Sequence, residues 1–267
     1  MNKQIYIYVN DNLASRKTEK KLKQKLDKSG FIIQNNFGED TDLMVCIGGD
    51  GTFLEAIHKF DFPKVPIIGV NTGHLGFFQE IMPAQLDNFI FNYTQGKYSL
   101  QPLSTVKATV NTEDGSFELI GLNEIAVKGL SSYSIHLNIS IGGSFIERFS
   151  GDGLLIATPA GSTAYNYSLG GSIVDPRLNI LQVTPIAPMN TTAYRSFTSS
   201  ILLPSDLSLG IVPDLQKESN GLAVICDGYS VEYDSVKSVE ISFSDKKVNL
   251  MRFETYDFWT KVKDKFL

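Results

Sequence analysis

One tryptophan, two cysteines and three histidines in 267 residues leave several kinds of chemistry without material. Cys46 and Cys226 each lie in an apolar, strand-like run. Both read as buried thiols of a reducing cytoplasm, and two are too few for a cysteine-rich zinc site. His58, His74 and His136 are scattered without metal-ligand spacing. No apolar run approaches the roughly 18 residues of a membrane span. The opening MNKQIYIYVND stops being apolar at Asn10-Asp11, which is not the layout of a signal peptide. Positive charge is not in excess either. Twenty-four Lys+Arg against 29 Asp+Glu give a net charge of −5, so nothing draws the chain as a whole to nucleic acid or to an anionic membrane. No repeat at solenoid periods and no low-complexity segment is present. What is present is ordinary for a globular protein, 42% hydrophobic and 20% charged, in a chain long enough for two domains.

Against that plain background one stretch stands out, Val45-Cys46-Ile47-Gly48-Gly49-Asp50-Gly51-Thr52. An apolar run ends in two glycines, a carboxylate, a third glycine and a hydroxyl. Phe53-Leu54-Glu55-Ala56-Ile57-His58 follows with helical spacing, so the stretch reads as strand, tight turn, helix. Gly48, Gly49 and Gly51 let a ligand approach the backbone, and with Thr52 they suit a phosphate at a helix N-terminus. Asp50 is the odd member. A carboxylate beside a phosphate is repulsive unless a metal lies between them or the carboxylate takes a proton from a nucleophile, and both are parts of phosphoryl transfer. The alternative is a βα turn with Asp50 as a helix cap.

Taken in order, KQIYIYV (3–9) reads as a strand, 11–29 as a helix stopped by Gly30, and FIIQ (31–34), LMVCI (43–47) and VPIIGVN (65–71) as further strands. Leu22 and Leu26 give the first helix its apolar stripe. Its lysines, Lys17, Lys20, Lys21, Lys23, Lys25 and Lys28, make a solvated face, with a polyanion site as the alternative. Pro83 opens another helix that runs to about Gly96. Alternating strands and helices imply a parallel sheet, whose ligands bind at the carboxyl ends of the strands. The turn at 48–52 and Asn71-Thr72-Gly73-His74-Leu75-Gly76-Phe77 both lie at such ends. From about residue 100 to Phe253 the pattern becomes alternating apolar runs and turns, an all-β region large enough for a sandwich. The last residues, TYDFWTKVKDKFL, return to helical spacing. The expected division is thus 1–100, 101–253, and a helix in 254–267 packing back on the first domain.

Within the β region, Gly151-Asp152-Gly153 opens LLIATP, and Pro159-Ala160-Gly161-Ser162-Thr163-Ala164-Tyr165-Asn166-Tyr167-Ser168 follows. Ser162 to Tyr165 reads as a helix start with a hydroxyl cap. Ser162, Thr163 and Ser168 suit a phosphate or ribose, and Tyr165 can stack on a base. A capped structural helix is the equal alternative. Asn123-Glu124 interrupts an apolar strand and needs partners, from a sugar diol or from a backbone loop. Asp227-Gly228 after LAVIC reads either as a hairpin turn or as a second strand–carboxylate–glycine element.

Together, GGDGT at 48–52, NTGHLGF at 71–77, NE at 123–124 and GDGLLIATPAGSTAYNYSLGG at 151–171 resemble the NAD kinases in order and spacing. The long third motif is the specific one, since GGDG turns also occur in diacylglycerol kinase-like lipid kinases. The resemblance implies a two-domain fold, an α/β N-terminal domain with a parallel sheet and an all-β sandwich C-terminal domain. It implies phosphorylation by ATP, with Mg2+, of the 2′-hydroxyl on the adenosine ribose of NAD, in a cytoplasmic homotetramer with no nucleic-acid or membrane partner. It places Asp50 at the acceptor hydroxyl beside Gly51, and Asn123 and Glu124 on a ribose. Asp152 and Ala164 fall at the nicotinamide end. Ser162, Thr163, Tyr165 and Ser168 fall along the adenine and phosphates, Phe77 beside the adenine and Asp227 at the edge of the pocket. Many relatives have Arg or Lys just before GDG. This chain has Ser150, with Arg148 two residues earlier, and either could face the new 2′-phosphate. Ala160 stands where Thr is usual, and SFTSSILLP lacks a common Arg-Pro pair. The rival readings are a lipid kinase of the diacylglycerol kinase type and a non-catalytic NAD-sensing protein. Asp50 argues against the second, because binding alone does not call for a carboxylate next to phosphate.

Overall fold

A computed structural model describes residues 3–130, 134–192, 195–214 and 221–266. The chain forms two compact units, one of Met1–Leu103 with Lys247–Leu267 and one of Ser104–Lys246.

The first unit is built on parallel strands. In chain order it holds β1 (Gln4–Val9), α1 (Leu13–Lys28), β2 (Ile32–Gln34), β3 (Leu43–Gly48), α2 (Asp50–Lys59), β4 (Ile67–Asn71), β5 (Gln79–Ile81) and α3 (Leu86–Thr94). The strands run in the order β4-β3-β1-β2, with β5 on the far side of β4. Every residue of β3 is buried, as a strand covered on both faces must be, which is why its sequence is a continuous apolar run. α1 starts where Asn12 Oδ1 accepts the Ser15 N–H at 2.8 Å and stops at Gly30, whose φ of 80° a side chain would resist. Its Leu22 and Leu26 are buried, while Lys17, Lys20, Lys21, Lys23 and Lys28 face solvent, so the lysine run is a solvated face. Pro83 opens a single 3-10 turn, Pro83–Gln85, before α3 begins, instead of one continuous helix. The unit is completed by the end of a long later strand, whose Leu250 pairs with Ile67, and by a final helix (Phe258–Phe266).

The second unit is antiparallel apart from one short helix. It holds the larger part of β6 (Ser99–Asn111), then β7 (Ser116–Gly121), β8 (Glu124–Gly129), β9 (Ile135–Ile141), β10 (Ser144–Gly151) and β11 (Gly153–Ala157). After α4 (Tyr165–Ser168) come β12 (Ile180–Ile186), β13 (Ile201–Pro204), β14 (Leu209–Pro213), β15 (Leu222–Cys226), β16 (Tyr229–Tyr233) and the first half of β17 (Ser238–Arg252). α5 is the final helix at Phe258–Phe266. One layer is the sheet β13-β12-β11-β8-β15-β16. The other is built on β10-β9-β14-β17, with β6 on β17 and β7 on β6. Val106, Val127, Ile139, Phe149, Ile156, Val224 and Ile241 share the core between the layers. This is the alternation expected of a sandwich, one face inward and one outward along each strand.

The run LIGLNEIAV is not one strand. β7 ends at Gly121, β8 starts at Glu124, and the two belong to different layers. The polar pair therefore sits at the point where the chain changes sheet.

Candidate active site

In the first unit the Asp50 turn is organised by contacts that its own sequence does not reveal. Gly49, not Asp50, is the N-cap of α2, and its carbonyl accepts the Thr52 and Phe53 N–H groups at 3.0 and 3.2 Å. The Asp50 side chain does not cap its own helix. It reaches to the NTGHLGF segment, where Oδ2 accepts the Phe77 N–H and Oδ1 the Phe78 N–H, both at 3.0 Å. The carboxylate thus clamps the segment after β4 to the start of α2. Gly48 is there because of Thr52, whose Oγ1 would lie 2.2 Å from a Cβ at Gly48. Around Gly49 and Gly51 a Cβ would meet nothing within 4 Å, so that side of the turn is open at a helix N-terminus, where the first N–H groups have no intrahelical partner. Thr52 itself is buried and its hydroxyl accepts from Asn10 at 3.3 Å.

Two acceptors converge on Gly76. A Cβ there would lie 2.0 Å from Gln79 Oε1 and 2.4 Å from Asp50 Oδ1. Gln79 Oε1 is buried with no hydrogen-bond partner among the described residues. Phe77 is 6% exposed, and its ring lies against those of Phe258 and Phe266 at 5.8 and 6.0 Å. Beneath it, Arg252 binds the buried Glu80 carboxylate at 3.0 Å and donates to the Phe77 carbonyl at 3.3 Å.

In the second unit Asp227 gathers the sheet-switch segment. Its carboxylate accepts the N–H groups of Leu122, Asn123 and Glu124 at 2.7, 2.8 and 3.1 Å. Asp227 and Gly228 have φ of 46° and 90° and connect β15 to β16, so the hairpin turn and the carboxylate element are the same feature. Gly161 abuts this segment so closely that a Cβ would fall 2.0 Å from the Asn123 carbonyl oxygen. Thr158 ties the other side, donating to the Leu122 carbonyl at 2.6 Å.

The outcome is a pair of buried oxygens, Asn123 Oδ1 and Glu124 Oε2, with no hydrogen-bond partner among the described residues. Burial, and then the neighbouring Asp227 charge, push the Glu124 carboxyl up to about 8. Hydroxyls that both donate and accept, such as a sugar diol, are what an amide oxygen and a carboxyl that keeps its proton up to about pH 8 lack.

Other candidates differ in what is available to a ligand. Ser162 is fully buried; its hydroxyl donates to the Pro159 carbonyl at 2.7 Å and accepts the Val174 N–H at 3.0 Å. It is not a helix cap, as the residues expected to start a helix instead form a 3-10 turn, Ala160–Thr163, followed by α4. The reason is that Ser162 is recruited to close the 159–174 loop, which uses the hydroxyl that a cap would need. Thr163 is buried and Ala164 half-buried, whereas Tyr165 (40% exposed), Ser168 and Asp152 are accessible. Of the two residues before GDG, Ser150 is fully buried, bonded to His136 Nδ1 at 2.7 Å and to Ser196. Arg148 is half-exposed and ion-paired with Asp214, so of the two only Arg148 is at the surface.

Residues 1–98 match the ATP-NAD kinase N-terminal domain and residues 122–253 the ATP-NAD kinase C-terminal domain. The chain is 39% identical over 269 residues to an NAD kinase of Finegoldia magna, covering 100% of this chain and 98% of that protein. It is 35% identical over 233 residues to an NAD kinase of Staphylococcus carnosus, covering 86% of each. In fold it is similar to yeast NADH kinase complexed with NADH, with a TM-score of 0.86 and 20% identity over 98% of this chain and 87% of that one. It is also similar to an NAD kinase from Archaeoglobus fulgidus in complex with ATP, with a TM-score of 0.75 and 23% identity over 98% and 99%. With both domain families matched in order and relatives above 30% identity along nearly the whole length, the chain belongs to the NAD kinase family.

Proposed function

We propose that this chain transfers the γ-phosphate of ATP to the 2′-hydroxyl of the adenosine ribose of NAD, making NADP. The observation that carries the mechanism is Asp50, a carboxylate held in place by two backbone N–H groups at the open N-terminus of a helix. A ribose hydroxyl is almost wholly un-ionised at neutral pH. Asp50 orients it and accepts its proton as the bond to phosphorus forms, while the open turn at Gly49 and Gly51, flanked by Gly48 and Thr52, faces phosphate. Asn123 and Glu124 hydrogen-bond the hydroxyls of a ribose of NAD, which supplies partners for those buried oxygens. Tyr165, Thr163, Ala164 and Ser168 line the dinucleotide, Asp152 meets its nicotinamide end, and Arg148 is the residue that can meet a 2′-phosphate.

The divalent ion that accompanies ATP is Mg2+. Its fit rests on the donor set, since each Asp50 oxygen accepts one N–H and keeps further lone pairs, and hard carboxylate oxygen suits Mg2+. When bound, the ion neutralises phosphate charge. The protein works as a cytoplasmic homotetramer. Supporting this, both cysteines are free and buried, no helix among the described residues is long and apolar enough to cross a membrane, and Phe145 and Ile146 are exposed on the edge strand β10.

The test is Asp50→Asn, which keeps shape and removes charge. Turnover should fall at least about a hundredfold with NAD affinity little changed. Loss that extra Mg2+ partly restores assigns Asp50 to the metal; loss that Mg2+ leaves alone assigns it to the proton. Near-native turnover in the variant would refute the role of this turn. Wild-type turnover of a short-chain diacylglycerol in place of NAD, or tight NAD binding without turnover, would refute the activity.

A further inference from the structure

The final helix brings a lysine to the Asp50 carboxylate. α5 is seated by buried Phe258 and Val262, and by the rings of Phe258 and Phe266 against Phe77. Phe77 is the residue whose N–H binds Asp50 Oδ2, so helix and turn are linked through one side chain and its own backbone.

Two lysines one helical turn apart on α5 lie on this side and are used differently. Lys261 is committed to the fold: its ammonium donates to the Gln79 carbonyl, and burial beside the Arg252 guanidinium pushes it down to about 8. Lys265 is not. Its Nζ lies 3.9 Å from Asp50 Oδ2, outside hydrogen-bond reach, and 4.9 Å from the centre of the Phe77 ring. The ring's π face attracts the ammonium and holds it over the turn. Lys265 makes no hydrogen bond among the described residues, and its side chain is 33% exposed. Its three N–H donors are therefore available to a ligand, at the carboxylate that a triphosphate would otherwise find repulsive.

We propose that Lys265 is a catalytic residue of phosphoryl transfer, its ammonium holding an oxygen of the transferring phosphoryl group beside Asp50. The proposal rests on the kinase reading above. As the ribose oxygen bonds to the γ-phosphorus, the bond from that phosphorus to the bridging oxygen breaks and its electron pair leaves with ADP. Asp50 takes the hydroxyl proton. Lys265 takes no part in the proton transfer, and its hydrogen bonds strengthen with the charge on the phosphoryl oxygens.

The test uses the full chain, steady-state kinetics with NAD and MgATP, and thermal melting. Once the wild type is seen to turn over, Lys265→Gln should lower kcat by about 10- to 100-fold, with the KM for NAD and the melting temperature unchanged. Lys265→Arg should recover most of the rate, and Lys263→Gln, on the opposite side of α5, should match the wild type. The losses in Asp50→Asn and Lys265→Gln should not multiply in the double variant, because both act on the same step. A Lys265→Gln kcat within about twofold of an active wild type would overturn the proposal and leave the kinase reading standing. So would a Lys265→Gln melting temperature well below wild type with no recovery in Lys265→Arg, which would mark a packing role. A wild type without turnover would overturn the kinase reading instead.

Discussion

Replacing Glu124 with Gln should make the protein more stable at alkaline pH and leave it unchanged at acid pH. The carboxyl is buried beside Asp227 and holds its proton up to about pH 8, against an ordinary value of 4.5. In the unfolded chain it releases that proton near 4.5. Between these values the folded state therefore binds more protons than the unfolded state, so stability falls as pH rises. The contribution is fully present below 4.5, declines by roughly 1.4 kcal/mol per pH unit, and levels off above about 8, a total on the order of 5 kcal/mol. Glu124→Gln keeps the size of the side chain and removes the titration. For a unit of this size 1 kcal/mol is about 2–4 °C in melting temperature, so the variant should gain roughly 10–20 °C over the wild type at pH 9 and nearly nothing at pH 5. Calorimetry of both proteins across that range makes the measurement, since titrations away from residue 124 are common to the two. A difference that stays constant with pH would show that Glu124 ionises normally in the fold, and the account of its buried, unpartnered oxygen would fail.

Gly161→Ala should lower stability by about 1–3 kcal/mol or more and weaken NAD binding, because the added Cβ would lie 2.0 Å from the Asn123 carbonyl oxygen and push Asn123 and Glu124 away. Urea midpoints and NAD titration check it, and native affinity would show that the 159–163 turn does not set that segment. Glu80→Gln should cost about 3–5 kcal/mol, since it leaves the buried Arg252 guanidinium without its carboxylate. A loss below about 1 kcal/mol in the same urea assay would mean that the other partners of Arg252 hold its charge without Glu80. Those partners are the Gln101 side chain, the Phe77 carbonyl and the Tyr256 ring.

The strand–turn–helix at 43–59 was legible because local rules agree there: a buried apolar run, glycines where the chain turns, and helical spacing after them. α1 was legible down to its stop at Gly30. The break between β7 and β8 was not, because Asn123-Glu124 sits in an unbroken apolar background, and a change of sheet leaves no local signal. Asp227-Gly228 announced its hairpin, but not that its carboxylate binds three N–H groups from residues 122–124. Ser162 had the residue type and place of a cap, and burial gave its hydroxyl other partners. Lys265 was missed for a different reason. Phe258, Val262 and Phe266 mark an amphipathic helix, yet nothing near them in the chain points to Asp50, and only the folded contact between α5 and Phe77 makes the lysine relevant.

The first unit is discontinuous in sequence, and this has a consequence for synthesis. A nascent chain that has emerged as far as Lys246 carries β3, β4 and the Asp50 turn, but not Leu250, which pairs with Ile67, nor the rings that cover Phe77. The second unit can meanwhile fold from residues already made, and doing so brings its own ends together: Thr105 donates to the Lys246 carbonyl at 2.6 Å. Closing a loop costs about 0.6 kcal/mol more for each doubling of its length. A folded middle turns one long closure into a short one, so the last strand and helix are delivered to the first unit at reduced entropic cost. The Asp50 turn can therefore gain its α5 neighbours only after the last residues of the chain are made.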